Sequence, residues 1–194
     1  MSRRTDILEA AVRVVAQRGI RGLRVEELAQ EAGVSTALIY YHFRDRAGVV
    51  SSTLEFISTR AEQYTEVDAD PEADPRGHLE QTLLRELQDT PMIVENSTAW
   101  GELRASAIFQ PELREQLRAA TARWTDYIDE LIRTAQQHGS VPPEVDSGEA
   151  AERLTAAIEG LSMRWLSGSL ELDRARKLLR GSLIAELGSP GEQR

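Results

Sequence analysis

The chain has 194 residues, 41 % of them hydrophobic, with a net charge of −9 and no cysteine. That supplies a core for one domain or two small ones packed together, and it excludes disulfides, thiol catalysis and cysteine-based zinc or iron–sulfur sites. No apolar run reaches the roughly 18 residues of a membrane span, and Met-Ser-Arg-Arg-Thr-Asp does not open a signal peptide, so a cytoplasmic protein without a membrane partner is expected. Only seven prolines, and long stretches rich in Ala, Leu, Glu and Arg, point to an all-α fold.

Residues 3–18 read as the first helix, because Ile7, Leu8, Ala11, Val12 and Val15 recur with helical period. Gly19 can end it and Ile20 can fold back onto its last turn. Gly22 loosens the loop that follows, where Arg21 and Arg24 sit. Residues 25–46 are the most informative. Leu28, Ala29 and Ala32 give a short helix its apolar stripe. Gly33 follows where a helix end needs φ > 0, Val34 can drop into the core, and Ser35 suits the N-cap of the next helix. From Thr36 the chain restarts as a helix. Leu38 or Ile39 and Phe43 face inward, while Thr36, Ala37, Tyr41 and His42 face outward. Tyr40 is expected to pack its ring inward and leave its hydroxyl free for a phosphate. Two helices around a short turn containing Gly form the helix-turn-helix pattern, whose second helix enters the DNA major groove.

Ala-Gly-Val-Ser, then Tyr-Tyr-His-Phe, then a basic residue three positions on, closely resembles the DNA-binding domain of the TetR family of bacterial repressors. The resemblance is strong over residues 5–50 and thins to general layout over 51–194. Arg24 stands where a helix-capping Thr is common, Ala37 where Gly or Pro is common, and Arg46 replaces the usual Lys with a planar fork. The resemblance implies that Tyr41 and His42 lie at DNA. Thr36 and Ala37 open the recognition helix, whose first residues meet base edges. Thr can hydrogen-bond a base or pack its methyl on thymine, and Ala can do only the latter. The expected DNA-binding set is Arg24, Ser35, Thr36, Ala37, Tyr40, Tyr41, His42 and Arg46.

Charge follows the same division. Residues 1–48 hold eight arginines against six acids, +2 in all, and the remainder carries −11. A mildly basic head on an acidic body directs the head toward phosphates. Asp45 can cap a helix over about 46–65. Residues 67–77 are acidic with two prolines and read as a mobile loop. Helices are expected over 78–89 (Leu79, Leu83, Leu84, Leu87), 92–109, and 111–138 with Pro111 in the first turn. A loop at 139–147 follows, then helices over 148–167, capped by Ser147, and 172–187, and a frayed tail. The sum is about nine helices without a sheet: a head at 1–46 and an effector-binding and dimerisation body at 47–194.

The three histidines, His42, His78 and His138, show no metal-ligand spacing, so no metal or cofactor is expected. The motifs of nucleophile elbows and phosphate loops are absent, so no enzyme or catalytic residue is expected. Polar residues Asn96 and Glu102 beside Trp100, with Trp124 and Tyr127, are candidates for an effector cavity, in which an apolar cleft carries a few fixed polar groups. A carboxylate there favours a cationic or hydrogen-bond-donating ligand. The apolar stripes of the last two helices are wide for an exposed pair, and Leu161, Trp165 and Leu183 are candidate anchors of a homodimer. The resemblance implies the same, a four-helix bundle from two chains. The expected function is a dimeric repressor on palindromic double-stranded operator DNA, released by a small-molecule effector. The alternative is a helical small-molecule-binding or protein-interaction bundle that does not bind DNA.

Overall fold

Each helix starts where the local chemistry can satisfy its free N–H groups. The computed structural model describes residues 2–67 and 73–189; residues 68–72 of the stretch expected to be mobile and 190–194 of the expected frayed tail lie outside them. In chain order the helices are α1 Arg3–Arg18, α2 Val25–Ala32, α3 Thr36–Phe43, α4 Arg46–Thr65, α5 Pro75–Leu84, α6 Pro91–Ser106, α7 Arg114–Gln137, α8 Ser147–Leu166 and α9 Leu172–Leu187, with 3-10 turns at Ile20–Gly22 and Pro111–Leu113. No strand occurs among the described residues, as expected for an all-α chain.

The caps explain where the boundaries differ from expectation. Asp45 Oδ1 accepts from Gly48 N–H at 2.7 Å, so α4 begins as predicted. Asp74 Oδ1 accepts from Gly77 N–H at 2.9 Å with Pro75 as the first helical residue, so α5 starts inside the stretch read as a loop. The prolines and acids that suggested the loop are the helix start signal itself. α5 also ends early, at Leu84. Asp146, not Ser147, caps α8, accepting from Glu149 N–H at 3.0 Å. α2 has Arg24 at its N-cap, with no side-chain cap; Glu26 and Glu27 in its first turn complement the helix dipole instead.

The chain divides into two compact units, Met1–Glu62 with Val94–Ala120, and Gln63–Ile93 with Thr121–Arg194. In the first, Ile7, Val15, Leu28, Ile39 and Phe43 share one continuous core with Val49, Leu54 and Ile57 of α4, Ala99 and Leu103 of α6, and Leu117 of α7. Each fully buried Leu or Ile there contributes about 1.5–3 kcal/mol relative to exposure. The packing boundary therefore lies beyond residue 46.

In the second unit Leu79, Leu83 and Leu87 pack with Ile128 and Ile132 of α7, Leu154 and Ile158 of α8, and Leu179 and Leu183 of α9. A short turn makes α8 and α9 antiparallel neighbours. Arg76 Nη2 donates to the carbonyls of Leu183 (3.0 Å) and Gly188 (3.2 Å), closing the end of α9. Burial of this guanidinium lowers its pKa, partly offset by Glu80.

Candidate nucleic-acid interface and ligand-linked residues

The turn between α2 and α3 is built by backbone chemistry. Gly33 takes the left-handed conformation, φ 64° and ψ 36°, which a side chain would strain. Its N–H reaches Gln30 O at 3.3 Å while Val34 N–H reaches Ala29 O at 2.9 Å, the paired bonds of a Schellman motif. Val34 is half-buried against the core. Ser35 is extended, and its Oγ accepts from Leu38 N–H at 3.2 Å, capping α3. Ile39 and Phe43 anchor α3 inward and are buried. Arg13 to Glu31 (2.9 Å) and Arg18 to Glu27 (3.0 Å) tie α1 to α2. A Cβ on Gly48 would stand 2.0 Å from the carbonyl oxygen of Phe43, so only glycine lets α4 leave the end of α3 this closely.

The outward face of α3 is then fixed. Tyr41 is 80 % exposed and Tyr40 48 %. The Tyr40 ring does not pack inward as expected, because Ile39 and Phe43, four residues apart, already occupy the buried face. Ala37 and Ser35 are exposed, and Thr36 and His42 partly so. His42 lies edge-on to Tyr41, ring centroids 5.2 Å apart. Arg21, Arg24 and Arg44 are exposed nearby in sequence. Arg44 has φ 66° at the end of α3, the one non-glycine residue with positive φ among those described. Arg46 is exposed yet engaged: Nε donates to Leu23 O at 2.9 Å and Nη2 to Ile20 O at 2.7 Å. It clips the first turn of α4 to the loop before α2. A lysine ammonium lacks the planar fork that reaches both carbonyls.

The five effector candidates fall in different units. In the first, Asn96 is buried and its Nδ2 donates to Ile57 O at 3.1 Å, tying α6 to α4. Trp100 packs partly buried on the same core, with the Arg104 guanidinium 5.2 Å from its ring centroid. A carboxylate oxygen of Glu102 lies 2.8 Å from where a Cβ on Gly19 would stand. Glu102 thus meets the end of α1, a contact that the sequence reading did not anticipate. In the second unit Trp124 and Tyr127 lie with ring centroids 6.0 Å apart. Burial raises the Tyr127 pKa, the neighbouring Thr82 opposes it, and Glu66 and Glu130 add to the rise.

Comparison with known proteins decides the family. Residues 7–53 match the model of bacterial regulatory proteins of the tetR family, and residues 75–188 match that of the BetI-type transcriptional repressor C-terminal domain. The chain belongs to the TetR family. It is a TetR-family transcriptional regulator, similar to the crystal structure of a TetR-family regulator from Rhodococcus sp. (43 % identity, 96 % of this chain and 100 % of that one, TM-score 0.89). A regulator from Saccharomonospora viridis, in complex with choline, is 28 % identical over 95 % of this chain and 96 % of that one, TM-score 0.79. The HTH-type transcriptional regulator TtgR of Pseudomonas putida is 27 % identical over 167 residues, 84 % of this chain and 80 % of that protein.

For this TetR-family chain the α8–α9 pair is the expected dimer face. Leu183 is 1 % exposed within its own subunit and Leu161 9 %, so Leu183 has almost no surface left for a partner. Helical spacing turns it toward α5 and α7 instead. Trp165 is half-buried, while Met163 and Ile184 are nearly half exposed. The sequence reading also missed a carboxylate in the second unit. Tyr64 Oη donates to Glu86 Oε2 at 3.0 Å. Burial pushes the Glu86 pKa up to about 7, the Tyr64 hydrogen bond opposes this, and the charge of Glu159 adds to it. The apolar repeat of Leu79, Leu83 and Leu87 had masked this position.

Proposed function

We propose that the chain is a repressor that holds a palindromic operator as a homodimer and lets go when a small-molecule effector occupies its body. The observation that carries the reading is Tyr41, an aromatic side chain 80 % exposed on a recognition helix whose other face is locked into the core. In this reading residues 1–46 meet DNA and 47–194 bind effector and partner. Thr36 and Ala37 meet base edges, and Tyr40, Tyr41, His42 and Arg24 reach phosphates or bases. Ser35 sets the start of α3, and Arg46 offers a phosphate its remaining amino group. Acting on operator DNA, the protein works in the cytoplasm.

Two linked heads gain affinity through effective concentration. Trp165, Met163, Ile184 and the accessible edge of Leu161 supply the partner surface. The choline complex of the Saccharomonospora viridis regulator makes small organic cations the first effectors to try. A ligand releases DNA only if it binds the non-DNA-binding arrangement better. Asn96, Trp100 and Glu102 stand on the core shared with the head, and the Glu102 contact with the end of α1 supports a path along α6. Trp124 and Tyr127, in the second unit, are separate aromatic candidates.

The test is a gel shift against DNA upstream of the protein's own gene across a range of salt. Wild-type affinity falls steeply with salt as counterions are released. Tyr41→Ala is expected to weaken binding about tenfold, on the order of 1–2 kcal/mol, without changing the melting temperature. Unchanged binding in Tyr41→Ala would remove α3 as the reading helix, and a monomer by sedimentation at micromolar concentration would remove the dimer.

A further inference from the structure

The turn between α6 and α7 leaves two neighbouring apolar side chains in water. Ile108 is 66 % exposed and Phe109 80 %, as exposed as the Tyr41 ring. Single apolar side chains on a surface are ordinary. Two in succession at a tip call for a reason, because the local structure holds them there. Arg114 donates from Nε to Ala107 O and from Nη2 to Ile108 O, both at 2.9 Å. Phe109 N–H and Gln110 N–H close on Ser106 O at 3.0 and 2.9 Å. Pro111 then opens the 3-10 turn that buries Leu113. The tip is thus set before any partner arrives, which lowers the ordering cost of docking.

Its place and its rim narrow the partner. Leu113 and Leu117 share the core of α1–α4, Gln116 Nε2 donates to Ser51 Oγ on α4, and Glu102 meets Gly19. The tip therefore belongs to the compact unit that carries the recognition helix. Beyond it on α7, Glu115 and Arg118 are exposed, and neither makes an ion pair among the described residues. Three residues apart, they lie on one helix face. Both signs on one face suit a two-fold contact, in which Glu115 of one copy meets Arg118 of the other. Two apolar side chains and a narrow rim cover on the order of a few hundred Å², against roughly 800 Å² per partner in a stable interface. Such a contact does not hold two molecules together in solution. It counts where something else brings the copies side by side, and neighbouring sites on one DNA do so through effective concentration.

We infer that the Ile108–Phe109 tip is a docking surface for a second copy of this chain, joining neighbouring dimers bound to adjacent sites on DNA. Ile108 and Phe109 of one copy pack on those of the next, and the Glu115–Arg118 pairs fix the two-fold register. Occupation of one site thereby favours occupation of the next, provided that the duplex presents both on one side. The tip shares no residue with the α8–α9 face. This rests on the reading that the chain binds DNA as a dimer.

The experiment uses the full chain and a duplex that it selects from a random library. Gel shifts compare one copy of that site with two copies whose centre spacing is varied one base pair at a time. Wild type is expected to fill the second site about tenfold more tightly than a lone site, at spacings that recur every ~10.5 base pairs. Ile108→Ser with Phe109→Ser should lose that gain. It should keep single-site affinity, the melting temperature and the sedimenting dimer, because both side chains are exposed. Glu115→Arg should lose most of the gain, and Glu115→Arg with Arg118→Glu should restore it. No gain at any spacing, or a gain indifferent to the paired serine variant, would overturn the assignment. A serine variant that sediments as a monomer would place the tip inside the dimer and overturn it as well. Selection of no duplex removes the repressor reading and this contact with it. Single-site binding without a gain removes the contact alone.

Discussion

The two compact units differ in what they present to solvent and in which polar side chains they bury. In the unit that holds the helix-turn-helix, buried Thr53 and Asn96 turn back to the backbone, Thr53 Oγ1 to Val49 O at 2.8 Å and Asn96 Nδ2 to Ile57 O at 3.1 Å, while the buried Ser97 Oγ finds no hydrogen-bond partner among the described residues. Its reactive surface, Tyr40 and Tyr41 with Arg21, Arg24 and Arg44, faces solvent. In the second unit the polar groups of α5 are inside, beside aromatic rings, with part of their hydrogen bonding unmet. The first arrangement suits a large rigid ligand met on the outside, as a duplex is. The second suits a small ligand that must be enclosed.

The largest expected effect tests the rigidity of the first unit. Gly48→Ala drives a methyl into the carbonyl of Phe43, so α3 and α4 must separate. About 3 kcal/mol of stability is expected to go, with operator binding lost alongside it. Urea unfolding measures the loss, and a variant as stable as wild type would show that the α3–α4 junction is adjustable.

Next comes the second unit's half-buried acid, Glu86. Glu86 keeps its proton up to about 7 in the fold against an ordinary value of 4.5. The folded chain thus binds more protons than the unfolded one between those limits, and this residue's contribution is lost as pH rises through 7. Its share is at most on the order of 2–3 kcal/mol. The wild type minus Glu86→Gln difference in unfolding free energy, near pH 5 and near pH 7.5, isolates that share. The variant is expected to gain relative stability at the higher pH. A difference independent of pH would place Glu86 in contact with water.

The smallest effect concerns Arg46. Arg46→Lys loses at least one of the two carbonyl bonds and should cost about 1 kcal/mol in thermal stability. No change in melting would mean that the fork does not hold the loop, leaving Arg46 to DNA alone.

These residues also mark how far the sequence was readable. The turn of the helix-turn-helix was legible because its geometry is local: Gly33, Val34 and Ser35 each act within five residues of themselves. Positions set by competition between faces were not. Tyr40 lost its inward place to Ile39 and Phe43, and Leu183 was claimed by its own subunit. Arg46 could be recognised as a cation, but its carbonyl partners lie more than twenty residues away in sequence. The polar line of His78, Thr82 and Glu86, along α5 and the turn after it, escaped because a helix buried on two faces resembles an ordinary amphipathic one once a leucine repeat has been found on the first. The signal was present in their spacing, and it becomes meaningful only when burial on that face is known.

The core running from Ile7 through Ile57 to Leu103 and Leu117 also bears on how such a regulator can be rearranged. Grafting the first 46 residues onto a foreign body would cut the core that Phe43 and Val15 share with α4, α6 and α7. The portable piece is residues 1–62 together with 94–120, two stretches of gene separated by a third. A new sensor is therefore more readily obtained by recutting the interior of the body than by exchanging halves at a single join.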